Sequence, residues 1–159
     1  MINIGKTSSV QHELWWVYPS DTALDRERED WESELEAALE TGDMMRLPIK
    51  PNQKPTYFKL RQPSGRLLRC IRDIAESVVT RKGGSHTAWR DIASLCLVGM
   101  ENAGGKYGEK HEFVTMPHPQ YGHQAVSDTD MDALDMVDEG MLVNGVGLYM
   151  FGHLSPPKN

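Results

Sequence analysis

Apolar residues recur at the three- and four-residue spacing of an α-helix in four parts of the chain, and this pattern predicts four helices. Each predicted helix begins at a Ser, Thr or Asp, which can accept a hydrogen bond from the free backbone N–H groups of the first turn. Glycine or proline follows the end of each helix, as is typical of helix stops. The predicted helices run from Ser20 or Asp21 to about Thr41, from near Ser64 to Gly83, from Ser85 or Thr87 to Asn102, and from Ser127 or Asp128 to about Leu154.

Two short stretches have the pattern of strands instead. Residues 14–18 form an apolar and aromatic block closed by Pro19, and residues 57–62 alternate aromatic, apolar and basic side chains. Side chains of successive strand residues point to opposite faces, so Trp15 and Trp16 cannot share one apolar surface. The second surface is either another layer of this chain or another subunit.

These elements predict a mainly α protein, α+β at the margin, with about four helices and one or two short strands. A length of 159 residues suits a single domain, 1–159, that buries its own core. We expect residues 1–19 to be an extended N-terminal arm. We expect residues 102–126, which are rich in glycine, proline and histidine, to be a long, irregular and flexible loop.

The longest apolar run, Met141–Leu154, is interrupted by Asn144, His153 and three glycines. It is too short for a bilayer, whose hydrocarbon core of about 30 Å needs about 20 residues. We therefore interpret it as a core or interface helix and expect no membrane association. Gly145 and Gly147 weaken such a helix unless a neighbouring element packs closely against them.

The compartment is predicted from the cysteines and the N-terminus. Cys70 and Cys96 fall inside apolar helical patterns and match no zinc or redox spacing, so we expect free, buried thiols. Residues 1–10 contain one lysine and no apolar run, which argues against a signal or transit peptide. Both observations favour a protein that stays in the reducing cytoplasm where it is made.

Charge is segregated along the chain, although the net charge is only −6. Residues 21–43 carry ten acids and two arginines, residues 46–90 carry eleven bases and two acids, and residues 128–139 carry six acids and no base. The acidic and basic segments either pair within the fold or leave charged faces for partners. The first helix is thus either a solvated acidic face or a docking surface for a basic partner.

Candidate chemistry is sparse. His111, His118 and His123 are the nearest approach to a metal cluster, but their spacing of seven and five is longer than zinc ligand pairs normally show, so we predict no metal and no cofactor. Neither a phosphate-binding loop nor a nucleophile elbow occurs, and no catalytic residue is assigned. Clustered cations suffice for phosphate contacts. The candidate anion-binding residues are Arg61, Arg66, Arg69 and Arg72.

Two short stretches resemble the tail assembly chaperones of tailed bacteriophages. Residues 57–65, YFKLRQPSG, followed by an amphipathic helix, resemble the short strand and first helix of that family. Residues 154–159, LSPPKN, are similar to its C-terminal end, although the family usually has acids in place of Pro156 and Pro157. The resemblance implies a noncatalytic helical protein that binds the tape-measure or tail-tube protein during assembly.

The leading hypothesis is therefore a noncatalytic phage assembly or virion protein, located in the host cytoplasm or in the particle. Its partners would be tail-tube, tape-measure or neighbouring virion subunits, or further copies of itself. The alternatives are a small nucleic-acid-binding module that uses residues 46–90, and an enzyme centred on the three histidines. Aromatic and Met side chains bury much surface at interfaces. The predicted interface residues are Trp15, Trp16, Tyr18, Met141, Leu148 and Phe151.

Overall fold

The computed structural model describes residues 14–78 and 85–154, which contain five α-helices and six strands. The helices are α1 (Trp31–Thr41), α2 (Gly65–Ser77), α3 (Ser85–Cys96), α4 (Asp128–Asp135) and α5 (Met141–Leu154). The strands are β1 (Leu14–Val17), β2 (Tyr57–Leu60), β3 (Leu97–Gly104), β4 (Gly108–Glu112), β5 (Thr115–Pro117) and β6 (Gln124–Val126). The fold is α+β, and the prediction of a mainly α protein with one or two strands is wrong.

The strands form two antiparallel sheets. The larger sheet has the order β1-β2-β3-β4, and the smaller is the hairpin of β5 and β6. In the larger sheet Trp16 of β1 lies opposite Phe58 of β2, which in turn lies opposite Met100 of β3. Residues 14–17 of the predicted arm are therefore an edge strand, and residues 1–13 lie outside the described part of the chain.

One face of the large sheet packs against the main core, and the other face is covered at β1 and β2. Trp16, Phe58 and Met100 point into the main core, which is completed by residues of α2, α3, α4 and α5. Trp15 and Val17 point the other way, into a smaller cluster. Its other buried members are Leu35 and Ala38 of α1, with Leu24 before that helix and Leu47 after it. The opposite orientation of the two tryptophans is as predicted, and both apolar surfaces belong to this chain.

The first helix begins at Trp31, ten residues later than predicted from Asp21. Residues 21–30 form turns instead of a helix, because aspartate side chains there can hydrogen-bond to backbone N–H groups and so stabilise turns. The Asp21 carboxylate accepts hydrogen bonds from the backbone N–H groups of Ala23 and Thr56, both at 2.9 Å. The predicted stop is confirmed, since Gly42 adopts the left-handed conformation (φ 75°) that ends the helix.

The third predicted helix stops at Cys96, and the chain continues directly as β3. Leu97 and Met100 are buried and Val98 is exposed, so the segment packs as the central strand of the sheet. The prediction of an irregular loop over residues 102–126 is wrong as well. That segment contains β4, β5 and β6 and returns to pair with β3.

The last predicted helix is two helices separated by a turn at Val137–Gly140. Ser127 caps the first of them as predicted, accepting from the backbone N–H of Asp130. In the second helix, a Cβ at Gly145 would approach the Trp16 ring to 2.8 Å, and one at Gly147 would approach the Trp89 carbonyl to 2.5 Å. A neighbouring element therefore packs closely against both glycines, which is the condition under which they are compatible with a stable helix. Across the described residues, no helix combines the length and apolar character needed to cross a bilayer.

Candidate functional site

An open groove of about 550 Å³ lies between α1 and the C-terminal half of α5. We call it the α1–α5 groove. Its apolar lining comes from one side of α1, with Trp31, Leu35 and Leu39, and from Leu148 and Tyr149 of α5. A cleft of this size between two helices suits an apolar side chain cluster of a partner.

One wall of the groove is acidic. Glu32, Glu36 and Glu40 follow one another at a spacing of four residues, which places them on the same face of α1. No lysine or arginine occurs among the described residues that line the groove, and the one ionisable side chain of opposite sign is His153. The groove therefore combines an apolar floor with a negatively charged wall.

The other wall belongs to a helix that is apolar on nearly all sides. Such a helix is normally buried all round, but α5 leaves Met141, Leu148 and Phe151 exposed at 59%, 51% and 40%. Leu148 follows Met141 by seven residues, two helical turns, and Phe151 follows by three more, so the three side chains share one side of α5. We call this side the α5 stripe. Of the three residues Leu148 lines the groove, whereas the Phe151 ring packs against Trp89 of α3 at 5.8 Å.

Tyr149 and His153 close the end of the groove. Their ring centroids lie 4.5 Å apart with the planes tilted by 43°, and the Tyr149 hydroxyl lies 3.4 Å from both the Leu39 carbonyl oxygen and His153 Nε2. Burial raises the pKa of Tyr149 to about 12. Desolvation lowers the pKa of His153, an effect that Glu40 partly opposes. Both pKa shifts favour the uncharged forms of the two rings, so the acidic wall is the main charged feature of the groove.

The predicted interface residues of β1 differ from those of α5. Trp15 and Trp16 are 7% and 4% exposed, and each is enclosed by its own chain. Tyr18 is half-buried and donates a hydrogen bond of 2.6 Å to Asp138. These three aromatic residues therefore stabilise the fold, whereas the predicted residues of α5 remain accessible.

The charge segregation is partly resolved by internal pairing. Arg46 binds Glu34 of the first acidic segment at 3.4 Å, and Arg90 binds Asp132 and Asp135 of the second at 2.7 and 2.9 Å. Two of the eleven bases in residues 46–90 thus pair with acids of the two acidic segments.

The four candidate anion-binding arginines are not equivalent. Arg61 is half-buried at the end of β2, and Arg72 donates to the carbonyl oxygen of Leu154 at the end of α5. Arg66 and Arg69 are exposed on α2, and neither forms an ion pair with a residue that the structure describes. Arg66, Arg69 and Arg72 are thus all exposed, and Arg72 is the one of the three that binds a described residue, through the Leu154 carbonyl oxygen.

The three histidines do not converge on one site. His111 packs its ring against Tyr107 and Phe113. His118 Nε2 donates to Asp91 at 3.2 Å, and its Nδ1 accepts from the backbone N–H of Gln120 at 3.1 Å. Both ring nitrogens of His118 therefore have hydrogen-bond partners within its own chain. Within residues 14–78 and 85–154, no group of three or more His, Cys, Asp or Glu could hold a metal ion.

Both cysteines are free thiols, as predicted. Cys96 is buried, whereas Cys70 is only half-buried.

Sequence reasoning missed how the site is assembled. The acidic spacing of α1 and the apolar run of α5 were both visible, but no pattern indicated that they face each other across 110 residues, as the contact of Tyr149 with Leu39 requires.

Comparison with known proteins gives no further guide. No family model, no curated protein and no solved structure matches the chain.

Proposed function

We propose that this chain is a noncatalytic phage assembly or virion protein, and that its α1–α5 groove binds a basic, amphipathic helix of a partner protein. The single observation that carries the proposal is the α5 stripe, which exposes Met141, Leu148 and Phe151 on the helix that forms one wall of the groove. Exposed apolar patches with a polar rim mark protein interaction sites on soluble proteins.

The chemistry of the partner follows from the groove. Leucine-like side chains at a spacing of three and four residues would fill the floor between Leu35 and Leu148. Lysine or arginine on the flank of the same helix would meet Glu32, Glu36 and Glu40. An acidic partner would be repelled, so the proposal commits to a basic one.

A titration with a synthetic peptide tests this proposal. The probe is a fluorescently labelled amphipathic helix of Leu and Lys, three to four turns long to match α1, and its anisotropy is measured against the folded protein. We expect saturable binding that Leu148→Ser weakens about tenfold or more, because that change removes most of a buried leucine contact. The matched control is Val114→Ser, which alters an exposed apolar residue that does not line the groove.

Two results would contradict the proposal. One is equal peptide affinity in Leu148→Ser and in the wild-type protein. The other is a dimeric mass in solution that becomes monomeric in Leu148→Ser, since that result would assign the α5 stripe to self-association.

The phage context adds a more specific proposal. It rests on the resemblance of residues 57–65 and 154–159 to tail assembly chaperones. Of these, residues 155–159 lie outside the described part of the chain. The α+β fold of the chain departs from the helical fold that the resemblance implies. We expect coexpression with the tape-measure or tail-tube protein of the same genome to yield a soluble complex. We expect Leu148→Ser to abolish that complex and Val114→Ser to leave it intact. If the wild-type chain forms a complex with neither the tape-measure nor the tail-tube protein, the phage assignment is excluded.

Nucleic-acid binding is a second candidate, and it is favoured by the exposed guanidinium groups of Arg66 and Arg69 on α2, which form no ion pair with residues 14–78 or 85–154. Two phosphate contacts predict weak binding that falls with salt, with a slope of about −2 in a log–log plot for duplex DNA. The double change Arg66→Gln with Arg69→Gln is expected to abolish it. Absence of any binding to DNA or RNA at low salt would exclude this candidate.

A further inference from the structure

A second exposed apolar surface lies at the turn between α4 and α5. Met136 is 83% exposed and Met141 is 59% exposed, and Val137 between them is also exposed. We call residues 136–141 the turn surface; within it Gly140 is buried and the other residues are exposed. Large apolar side chains that are grouped on the surface of a soluble protein mark a place where a partner binds.

The turn surface is also acidic. Its two charged residues are Asp138 and Glu139, and the whole segment 128–139 contains six acids and no base. Arg90 binds two of the other acids, but neither Asp138 nor Glu139 forms an ion pair with a residue that the structure describes. Asp138 accepts a hydrogen bond from the Tyr18 hydroxyl, a neutral donor that leaves its negative charge in place. The turn surface thus has the same chemistry as the groove, with apolar side chains beside carboxylates.

The turn surface adjoins the α1–α5 groove along two elements. On α5, Leu148 of the groove follows Met141 by seven residues, which places both side chains on one side of the helix and about 10 Å apart along its axis. After β1, Pro19 lines the groove, and the preceding Tyr18 reaches the turn through its 2.6 Å hydrogen bond to Asp138. A helix that lies in the groove and extends past Pro19 would therefore meet the turn surface.

We propose that the turn surface is a second docking point for the basic, amphipathic helix that the groove binds. This second docking point rests on the proposed function and specifies the partner further. The partner helix carries a second apolar side chain about two turns beyond the one that meets Leu148, and that side chain contacts Met141. A lysine or arginine beside it faces Glu139.

The charge of the turn surface decides between a basic partner and a second copy of this chain. In a symmetric dimer the same surface of both copies would meet, and the acids of one copy would face the acids of the other. Like charges placed opposite one another disfavour such a contact, whereas lysine or arginine of a different chain is attracted. The methionines are flexible and can adapt to the apolar side chain that the partner presents.

Three fluorescently labelled helices test the turn surface, and their anisotropy is measured against the full chain. The short helix has three turns of Leu and Lys and is long enough for the groove alone. The long helix has two further turns of Leu and Lys, and its matched control has serine in place of leucine in those two turns. We expect the long helix to bind about tenfold more tightly than its serine control, because it buries one more apolar contact.

Variants of the chain assign that gain to the turn surface. Met141→Ser should remove the difference between the long helix and its serine control and leave the affinity for the short helix unchanged. Independently, Glu139→Gln should weaken both long helices about twofold at low salt, because the added lysines lose a carboxylate. The matched control is Met116→Ser, which alters an exposed methionine of β5 that does not line the groove and should change no affinity. Cooperative thermal unfolding of each variant shows that it is folded.

Failure of the turn surface is distinguishable from failure of the groove. Binding of the short helix without a gain for the long helix over its serine control, or a gain that survives Met141→Ser, would overturn the second docking point and leave the groove in place. Binding of the long helix that depends on Met141 but not on Leu148 would instead overturn the groove. Absence of binding by all three helices would overturn both. A dimeric chain that Met141→Ser makes monomeric would also overturn the second docking point, because the turn surface would then serve self-association.

Discussion

At the scale of single residues, the close packing of α5 depends on the missing side chain of Gly147. A Cβ at this position would lie 2.5 Å from the Trp89 carbonyl oxygen and 2.8 Å from its Cα, and neither backbone atom can move aside alone. Gly152 in the same helix offers the opposite case, because a Cβ there would meet no atom within 4 Å.

We predict that Gly147→Ala lowers the free energy of unfolding by about 1–3 kcal/mol, the usual cost of overpacking a core. Gly152→Ala should instead raise it by up to about 1 kcal/mol, because alanine is the better helix former. Urea denaturation of the two variants measures both effects. Equal effects of the two changes would show that α3 and α5 are not in close contact at Gly147.

The buried thiol of Cys96 gives a prediction for alkaline pH. Burial raises its pKa from 9.0 to about 12. The unfolded chain therefore loses this proton first, and the free energy of unfolding falls as the pH rises from about 9 towards 12. Below pH 9 the thiol is protonated in both states and contributes no pH dependence.

Denaturation of the wild-type protein and of Cys96→Ala at pH 8, 9.5 and 10.5 tests this. The variant should be less stable at pH 8, because it lacks a buried sulfur atom, but its stability should fall less steeply with pH. The tyrosines whose pKa values are raised are present in both proteins, so the difference in slope isolates Cys96. Parallel pH profiles would contradict the assignment.

At the scale of elements, the sequence predicted the features that depend on neighbouring residues alone, such as helix caps and strand patterns. The caps Ser127 and Gly42 and the strands β1 and β2 lie where the pattern indicated. Local signals failed where tertiary contacts decide. Residues 97–100 continue the apolar run of α3 but become a strand, because β2 and β4 pair with them on either side.

The same limit explains the missed turn at Val137–Gly140. Nothing in the residues DEG demands two left-handed non-glycine conformations, and the Tyr18 contact that supports them comes from 120 residues away. The groove was beyond prediction for a similar reason, since it needs α1 and α5 to be adjacent.

The turn makes its own prediction. Glu139→Gly should raise the free energy of unfolding by about 0.5–1 kcal/mol, because glycine adopts positive φ without strain. Glu36→Gly, an exposed change inside α1, should lower it by about 1 kcal/mol. Thermal unfolding compares the two variants. Destabilisation by both would mean that Glu139 does not occupy a left-handed conformation.

At the scale of the whole molecule, a four-stranded sheet packs against a large core on one face and against a smaller cluster at β1 and β2 on the other. The main core joins the sheet to α2, α3 and α5, and the second cluster joins its other face to α1. The groove lies where α1 of the second cluster meets α5 of the first. Ion pairs of Arg46 and Arg90 offset part of the acidic segments, but Glu32, Glu36 and Glu40 keep the groove negative.

We propose that the α1–α5 groove selects a basic apolar segment by both shape and charge. Charge exchange tests it most directly, by titrating the wild-type protein and the double variant Glu32→Lys with Glu36→Lys against a Leu–Lys helix and its Leu–Glu counterpart. We predict that the wild type prefers the Leu–Lys helix, that the double variant prefers the Leu–Glu helix, and that Leu148→Ser weakens both pairings. An unchanged preference for the Leu–Lys helix in the double variant would contradict the account.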